Sequence, residues 1–304
     1  MSLVITGSVA FDAIETPFGK TDKIIGGAAT YAGLAASYFY NQVKLVAVVG
    51  DDFPATDIET LKNHGIDMEG VQVKANEKSF FWSGKYHNDM NSRDTLVTDL
   101  NVLADFDPII PESYQGCEFL LLGNLSPEVQ QTTIKRLTHR PKLIVMDTMN
   151  FWMDIALDSL LETIKLVDVL TINDSEARQL SGEYSLVKAA RKISEMAPQY
   201  VVIKKGEHGA LLFHKDHVFS APGLPIADVY DPTGAGDTFA GGFIGYLAKV
   251  GVVNFETMKN AIIHGSALAS FCVEKFGTKK IQHLTQQEIN DRIQQFVKLS
   301  SFTI

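Results

Sequence analysis

Only two cysteines, Cys117 and Cys272, occur in 304 residues. That scarcity excludes a disulfide framework and a close-spaced thiolate metal site, and the apolar neighbours of each mark them as buried thiols. Long hydrophobic runs are also missing. The longest, such as residues 119–122, fall far short of a membrane span. The first residues carry no basic leader region, and Asp12 and Glu15 follow soon after, so a cytoplasmic protein is expected. Positive charge is in deficit: 27 Lys and Arg against 36 Asp and Glu leave −9 at pH 7. This balance argues against a protein that grips nucleic acid through its phosphates. It does not exclude a small nucleotide, because backbone amides can form a local anion hole whatever the global charge. Repeats and low-complexity tracts are absent, and the 45 % hydrophobic and 21 % charged content is that of an ordinary globular chain.

What is present is a rhythm of short apolar runs and helical stretches. Residues 3–10, 43–49, 119–122, 143–146, 169–172 and 200–203 read as buried strands. Gly26-Gly27-Ala28-Ala29 opens a small-residue helix through Ala36, and residues 57–63 form a helix stopped by Gly65. The tail from Met258 reads as two helices divided near Gly277, with Thr285 capping the last. Such alternation predicts an α/β fold, a mostly parallel sheet with helices on both faces, built as one domain over residues 1–304. Two segments break the rhythm. Residues 12–25 are polar with turns at Pro17 and Gly19, and residues 71–100 hold hairpin strands with Phe80, Phe81, Trp82 and Tyr86 around a polar turn. Together they predict a small β-sheet lid outside the core, whose aromatics serve lid packing, a homodimer interface or a wall against a ligand ring. Ligands of parallel sheets bind beyond the carboxyl ends of the strands, where Asn124, Asp147, Asn173 and Lys205-Gly206 fall. Asn124 is therefore a candidate substrate contact, while Arg93 in the lid reads as a solvated charge.

The most informative stretch is residues 231–242, DPTGAGDTFAGG. Gly234 and Gly236 allow the backbone to bring its amides close to a ligand. With a helix starting near Ala235, the amides of Gly234, Ala235 and Gly236 and the positive helix end converge on a spot that stabilises a phosphate. Asp237 then lies beside an anion hole, as a base for moving a phosphoryl group onto a hydroxyl. An Asp in a first helical turn is also a common dipole partner, so this reading needs support from the rest of the chain. Two rival nucleotide motifs fail by spelling. Phe239 stands where a dinucleotide fingerprint needs its third glycine, and Ile14 stands where a Walker loop ending at Gly19-Lys20-Thr21 needs its first.

Over a dozen positions, Asp231, Thr233, Gly234, Ala235, Gly236, Asp237, Phe239, Gly241 and Gly242 resemble the C-terminal motif of the PfkB, or ribokinase-like, family of carbohydrate and nucleoside kinases. The resemblance implies a three-layer α/β/α fold with a small β lid and an ATP-dependent kinase acting on a hydroxyl of a sugar or sugar-like molecule. A nucleoside kinase is the alternative. A silent nucleotide or sugar sensor is disfavoured by the intact Asp237.

By the same resemblance, Asn173 and Glu176, an Asn-x-x-Glu element, help to order Mg2+ through water and the phosphates of ATP. That spacing is equally a plain helix capping arrangement. Lys205, Gly206 and Gly209, in a Gly-x-x-Gly turn, are implied to lie against the nucleotide together with Thr233. His208 reads as an exposed turn residue. Asp12, Gly26 and Gly27 are implied to contact sugar hydroxyls, since a carboxylate accepts from vicinal hydroxyls and glycines allow close approach. Thr30 departs from the asparagine common in sugar kinases, which leaves the acceptor open. Asp231 is implied at a monovalent cation site, K+, with carbonyls of residues 271–277.

Overall fold

The computed structural model describes residues 2–301 and 303. Strand β1 (Leu3–Thr6) leads into β2 (Ala10–Thr16), β3 (Gly19–Lys20), β4 (Ile24–Gly26) and helix α1 (Ala28–Ser37). Next come β5 (Val43–Gly50), α2 (Ala55–Asn63), β6 (Asp67–Lys74), β7 (Phe81–Tyr86) and β8 (Arg93–Asp99). The alternating part follows: β9 (Phe119–Leu122), α3 (Pro127–Arg136), β10 (Leu143–Asp147), α4 (Asn150–Ile155), α5 (Leu157–Ile164), β11 (Val169–Asn173), α6 (Asp174–Ser181) and α7 (Leu186–Ser194). It continues through β12 (Tyr200–Lys204), β13 (Ala210–His214), β14 (His217–Ala221), α8 (Ala235–Val250), α9 (Phe255–Cys272) and α10 (Gln286–Ser300).

The large sheet has the order β14-β13-β12-β11-β10-β9-β1-β5-β6, parallel from β6 to β12 and closed by the antiparallel β12-β13-β14 meander. Its strands are apolar on both faces because both are covered. Leu3, Ile5, Leu121 and Val145 pack into one cluster with α1, α8 and α9, while Val4, Leu120, Leu122 and Ile144 pack into a second with Leu160 of α5 and Ala189 of α7. Order reverses at β1, flanked by β9 and β5, which places the switch point of the fold at the carboxyl ends of β1 and β9. Among the described residues no helix is long and apolar enough to cross a membrane.

The small sheet runs β3-β2-β7-β8, with β4 on β2. It corrects two expectations. Residues 3–10 are not one strand: β1 ends at Thr6 and the chain crosses to the second sheet over Gly7, where a Cβ would meet Ala29 N at 2.9 Å. Asp12 lies on β2, a lid strand, within the segment 12–25 expected to form the lid. Residues 71–74 belong to β6, the edge of the large sheet, so the lid hairpin proper begins at β7.

Helix α8 lies against α1 at a distance only glycine permits. A Cβ at Gly241 would sit 2.1 Å from the Ala32 carbonyl oxygen, and one at Gly245 would sit 2.8 Å from Ala36 Cα. These contacts aim the N-terminus of α8 at the switch point. The tail behaves as its caps predict, with Thr285 accepting from Glu288 N and Glu288 returning a carboxylate to Thr285 N. Replacing Gly241 by Val should force α1 and α8 apart and destabilise the protein by about 3 kcal/mol, as overpacking of a tight core does. A urea midpoint close to wild type would contradict this account of the helix pair.

Candidate active site

The local sequence dictates how the 231–237 loop is built. Gly234 caps α8 in the left-handed region at φ 72°, and a Cβ there would lie 2.5 Å from the Tyr31 ring beneath it. Asp231, fully buried, staples the loop: Oδ1 accepts from Thr233 N and Oδ2 from Gly277 N, each at 2.8 Å. Both oxygens thus serve backbone amides. The Ala235 N–H donates to the Pro232 carbonyl at 3.2 Å, so among the described residues the amides of Gly234 and Gly236 are the donors left to a phosphate. Asp237 occupies the first turn of α8, where burial, and next the charge of Asp147, push its carboxyl up to about 7 while Lys204 and Arg93 oppose the shift.

Asp12 comes to the same place from the lid. A Cβ at Gly26 would fall 1.9 Å from its Oδ2, and one at Gly27 (φ 92°) 2.4 Å from the Ser8 carbonyl oxygen, so both glycines are demanded by the turn that seats Asp12. Ser8 also caps α1 from a distance, its hydroxyl accepting from Ala28 N and its carbonyl from Ala29 N. Burial first, then the charges of Asp231 and Asp237, raise Asp12 to about 7. Thr30 and Tyr31 are buried in α1, and neither hydroxyl has a protein partner. Full burial takes Thr30 off the cleft wall. The Tyr31 ring supports Gly234, and its hydroxyl feels Asp12 and Asp231.

The strand register puts Asp12 opposite Trp82, and Tyr86 opposite Arg93, while side-chain alternation keeps Trp82 and Tyr86 on one face of β7. That face looks at the motif: the Thr233 hydroxyl donates to Tyr86 Oη at 3.2 Å, latching lid to loop. Arg93 lies 5.7 Å from the Trp82 ring and lowers Asp237 and Glu176. Arg93 is exposed, as its reading as a solvated charge expects, and its charge reaches the site from there.

At the carboxyl end of β11, Asn173 and Glu176 form a complete capping box. Asn173 Oδ1 accepts from Glu176 N at 2.8 Å and Glu176 Oε2 from Asn173 N at 2.7 Å. Burial, as the largest effect, raises Glu176 to about 7. Asn124 spends its amide on Trp152, whose Nε1 donates to Oδ1 at 2.9 Å, and on Met149 Sδ at 3.0 Å. Trp152 was not singled out by any sequence pattern. Of the paired lysines, Lys205 shapes the turn through its backbone, its N–H bonding the Gly209 carbonyl, and Lys204 turns its ammonium inward to Asp147 Oδ2 at 2.6 Å. Alternation after β12 was the only signal that could have distinguished them.

Beside the motif opens a cleft of about 780 Å³. Gly206 and Gly209 edge it, Leu224, Ile226 and Val229 form an apolar wall, and Phe239 and Val273 close its base. Its chemistry suits a flat heteroaromatic ring whose phosphates run toward Gly236. His208 stands on its exposed rim. The tip of the lid hairpin, residues 89–91, completes the mouth, and Asn91 Oδ1 would lie 3.4 Å from a Cβ at Gly206.

Residues 2–284 match the model of the pfkB family carbohydrate kinases, and the chain belongs to that family. It is 32 % identical over 251 residues to a cytidine kinase of Thermococcus kodakarensis, an alignment that covers 80 % of this chain and 87 % of that one. The fold is similar to that of the Methanocaldococcus jannaschii nucleoside kinase, with a TM-score of 0.76 at 21 % identity over 97 % and 98 % of the two chains. It is also similar to an aminoimidazole riboside kinase of Salmonella enterica complexed with aminoimidazole riboside and an ATP analog, with a TM-score of 0.74 at 19 % identity over 96 % and 100 %. The chain is a sugar or nucleoside kinase, a phosphotransferase with a hydroxyl acceptor.

Asp12, Glu176 and Asp237 all have folded pKa values near 7, above the ordinary carboxylate range. Their protonation favours the folded state, so this contribution is full below about pH 4 and is lost as pH rises through about 7. The ligand-free protein should therefore melt at a higher temperature at pH 6 than at pH 8, by calorimetry. A melting temperature that does not fall over that interval would mean the three carboxyls are not raised to about 7.

Proposed function

We propose that this chain transfers the γ-phosphoryl group of ATP to a ribose hydroxyl of a nucleoside, with Asp237 as the base. The observation that carries the reading is Asp237 in the first turn of α8, next to the amide donors of Gly234 and Gly236 and within the electrostatic reach of Asp12. Asp12 accepts hydrogen bonds from the acceptor's hydroxyls and orients one of them toward Asp237. Asp237 takes its proton as the oxygen attacks phosphorus, while the amides stabilise charge on the transferring group. Trp82, beside Asp12 on the cleft face, offers a ring for the nucleobase. Together with the cytidine kinase relative, it favours a nucleoside over a free sugar.

Thr233, Gly206 and Gly209 line the path of ATP, and lid closure excludes water that would otherwise hydrolyse it. When bound with ATP, Mg2+ would supply positive charge against the phosphates. Among the described residues no three His, Cys, Asp or Glu gather to hold an ion, and isolated carboxylates suit one that keeps its waters and arrives with phosphate. Glu176 and Asn173 would hold it through those waters. Because Asp231 serves backbone amides, a K+ ion there would be held by carbonyl oxygens, with Asp231 as its outer charge. A cytoplasmic setting fits ATP and two buried, unoxidised thiols.

The lid also supplies the homodimer contact in this reading: β8 is an edge strand exposed along its whole length, with Leu96 and Val97 outward. Light scattering should show a dimer that Leu96→Glu weakens; a wild-type monomer at working concentration counts against it. Asp237→Asn should fold normally and lose turnover by about 10²-fold or more, the scale of acid–base catalysis. ADP release is to be measured with cytidine, other nucleosides, ribose and inositol. Turnover of Asp237→Asn near wild type would remove Asp237 from the mechanism, and activity with sugars alone would replace the nucleoside by a sugar.

A further inference from the structure

Lys204 has no part in the chemistry described so far, and its placement is unusual. It ends β12, pairing with Asn173 of β11 on one side and Ala210 of β13 on the other, yet its side chain reaches past β11 to Asp147 at the end of β10. The two groups form an ion pair with side-chain exposures of 17 % and 6 %. Asp147 is itself held: Oδ1 accepts from Thr148 N at 3.0 Å and its carbonyl accepts from Gln130 Nε2 at 3.0 Å. The ammonium also lies 3.3 Å from where a Cβ on Gly236 would stand, against the loop that carries the anion hole, and it lines the cleft. A buried ion pair stabilises a fold no better than a well-packed apolar pair, so stability alone gives no reason for two charges here.

We propose that Lys204 is a catalytic residue whose ammonium contacts the phosphoryl group in transfer, and that Asp147 is a positioning residue that holds it there. The proposal rests on the phosphoryl-transfer reading above and deepens it. The acceptor oxygen forms a bond to the γ-phosphorus, the bond from that phosphorus to the β–γ bridging oxygen breaks, ADP leaves, and the proton of the hydroxyl passes to Asp237. Lys204 exchanges no proton. Burial works against its charge, but Asp147, Glu176 and Asp237 outweigh burial and hold its pKa above the ordinary lysine value. Around Asp237 the charges are Asp147 on β10, Lys204 on β12, Arg93 on β8 and Asp12 on β2. Lys204 is the cation among them whose ammonium also lies beside Gly236. It adds a full positive charge to a hole otherwise made of two amides and a helix end, in a site where such charge is weakly screened.

Four variants test this: Lys204→Met, Lys204→Arg, Asp147→Asn and the double variant Asp147→Asn with Lys204→Met. Lys204→Met alone leaves Asp147 buried and unpaired, so its melting temperature should fall; the double variant carries neither charge and should recover it. Turnover should drop by about 10²-fold in Lys204→Met, the cost of losing one transition-state donor, and stay low in the double variant. Lys204→Arg should restore part of it, and Asp147→Asn should lose less than Lys204→Met. Recovery of turnover together with melting temperature in the double variant would make the pair merely structural and overturn the proposal. Calorimetry gives a reading independent of turnover: Lys204→Met should weaken AMP-PNP binding about tenfold and leave adenosine binding unchanged. Equal effects on both ligands would also overturn it. Absence of ADP release from the wild type with every acceptor would instead refute the function reading, and the calorimetric comparison still decides where the ammonium points.

Discussion

Close contact between α1 and α8 is the constraint on which the rest depends. Gly241 and Gly245 admit the backbone of α1 at Ala32 and Ala36, and Gly234 sits on the Tyr31 ring. Any of these with a side chain would lift α8 and swing its N-terminus off the switch point. The same helix α1 begins at the turn of Gly26 and Gly27 that seats Asp12, so one packing contact sets the separation of the lid carboxylate from the loop carboxylate. Glycines in the 231–242 run thus do two jobs: Gly234 turns the loop over Tyr31, and Gly241 faces a neighbouring helix.

A consequence of that geometry is a concentration of negative charge. Asp12, Asp231 and Asp237 converge from the lid sheet, a loop and a helix, and Asp147 and Glu176 stand near the ends of neighbouring strands. Each is treated differently by its surroundings. Asp231 is satisfied by two backbone amides and acts as a staple, Glu176 is tied into a capping box, and Asp147 is matched with Lys204. Asp12 and Asp237 are raised to about 7, by burial first and then by the charges of neighbouring Asp carboxylates. A site in which carboxylates are left short of cations has affinity for a ligand that brings metal ions and hydroxyl donors, which is the chemistry of ATP with Mg2+ and a ribose.

Local patterns exposed much of this. Five of the six apolar runs are strands of the large sheet, the helix at Ala235 starts where the glycines place it, and the Thr285 cap is real. Failures occurred where the deciding contact is remote. The run 3–10 is continuous in hydropathy, yet it divides between two sheets because Gly7 must pass under Ala29, a residue with no local signature. Val71 and Val73 read like lid strands since β6, at the sheet edge, alternates as a hairpin strand does. Lys205 was preferred over Lys204 for its place next to Gly206, whereas the direction of each side chain follows from pairing of β12 with β11 and β13.

The amino-acid sequence by itself determined the class of fold and the glycine loop that opens into a helix with Asp237 in its first turn, because glycine conformational freedom, helix dipoles and strand hydropathy are properties of neighbouring residues. Tertiary structure alone decided which charges share the site. Bringing Arg93 over Trp82, Lys204 past β11 to Asp147, and Tyr86 onto Thr233 requires strand order and register, and these are settled by packing between elements up to 147 residues apart rather than by any local preference.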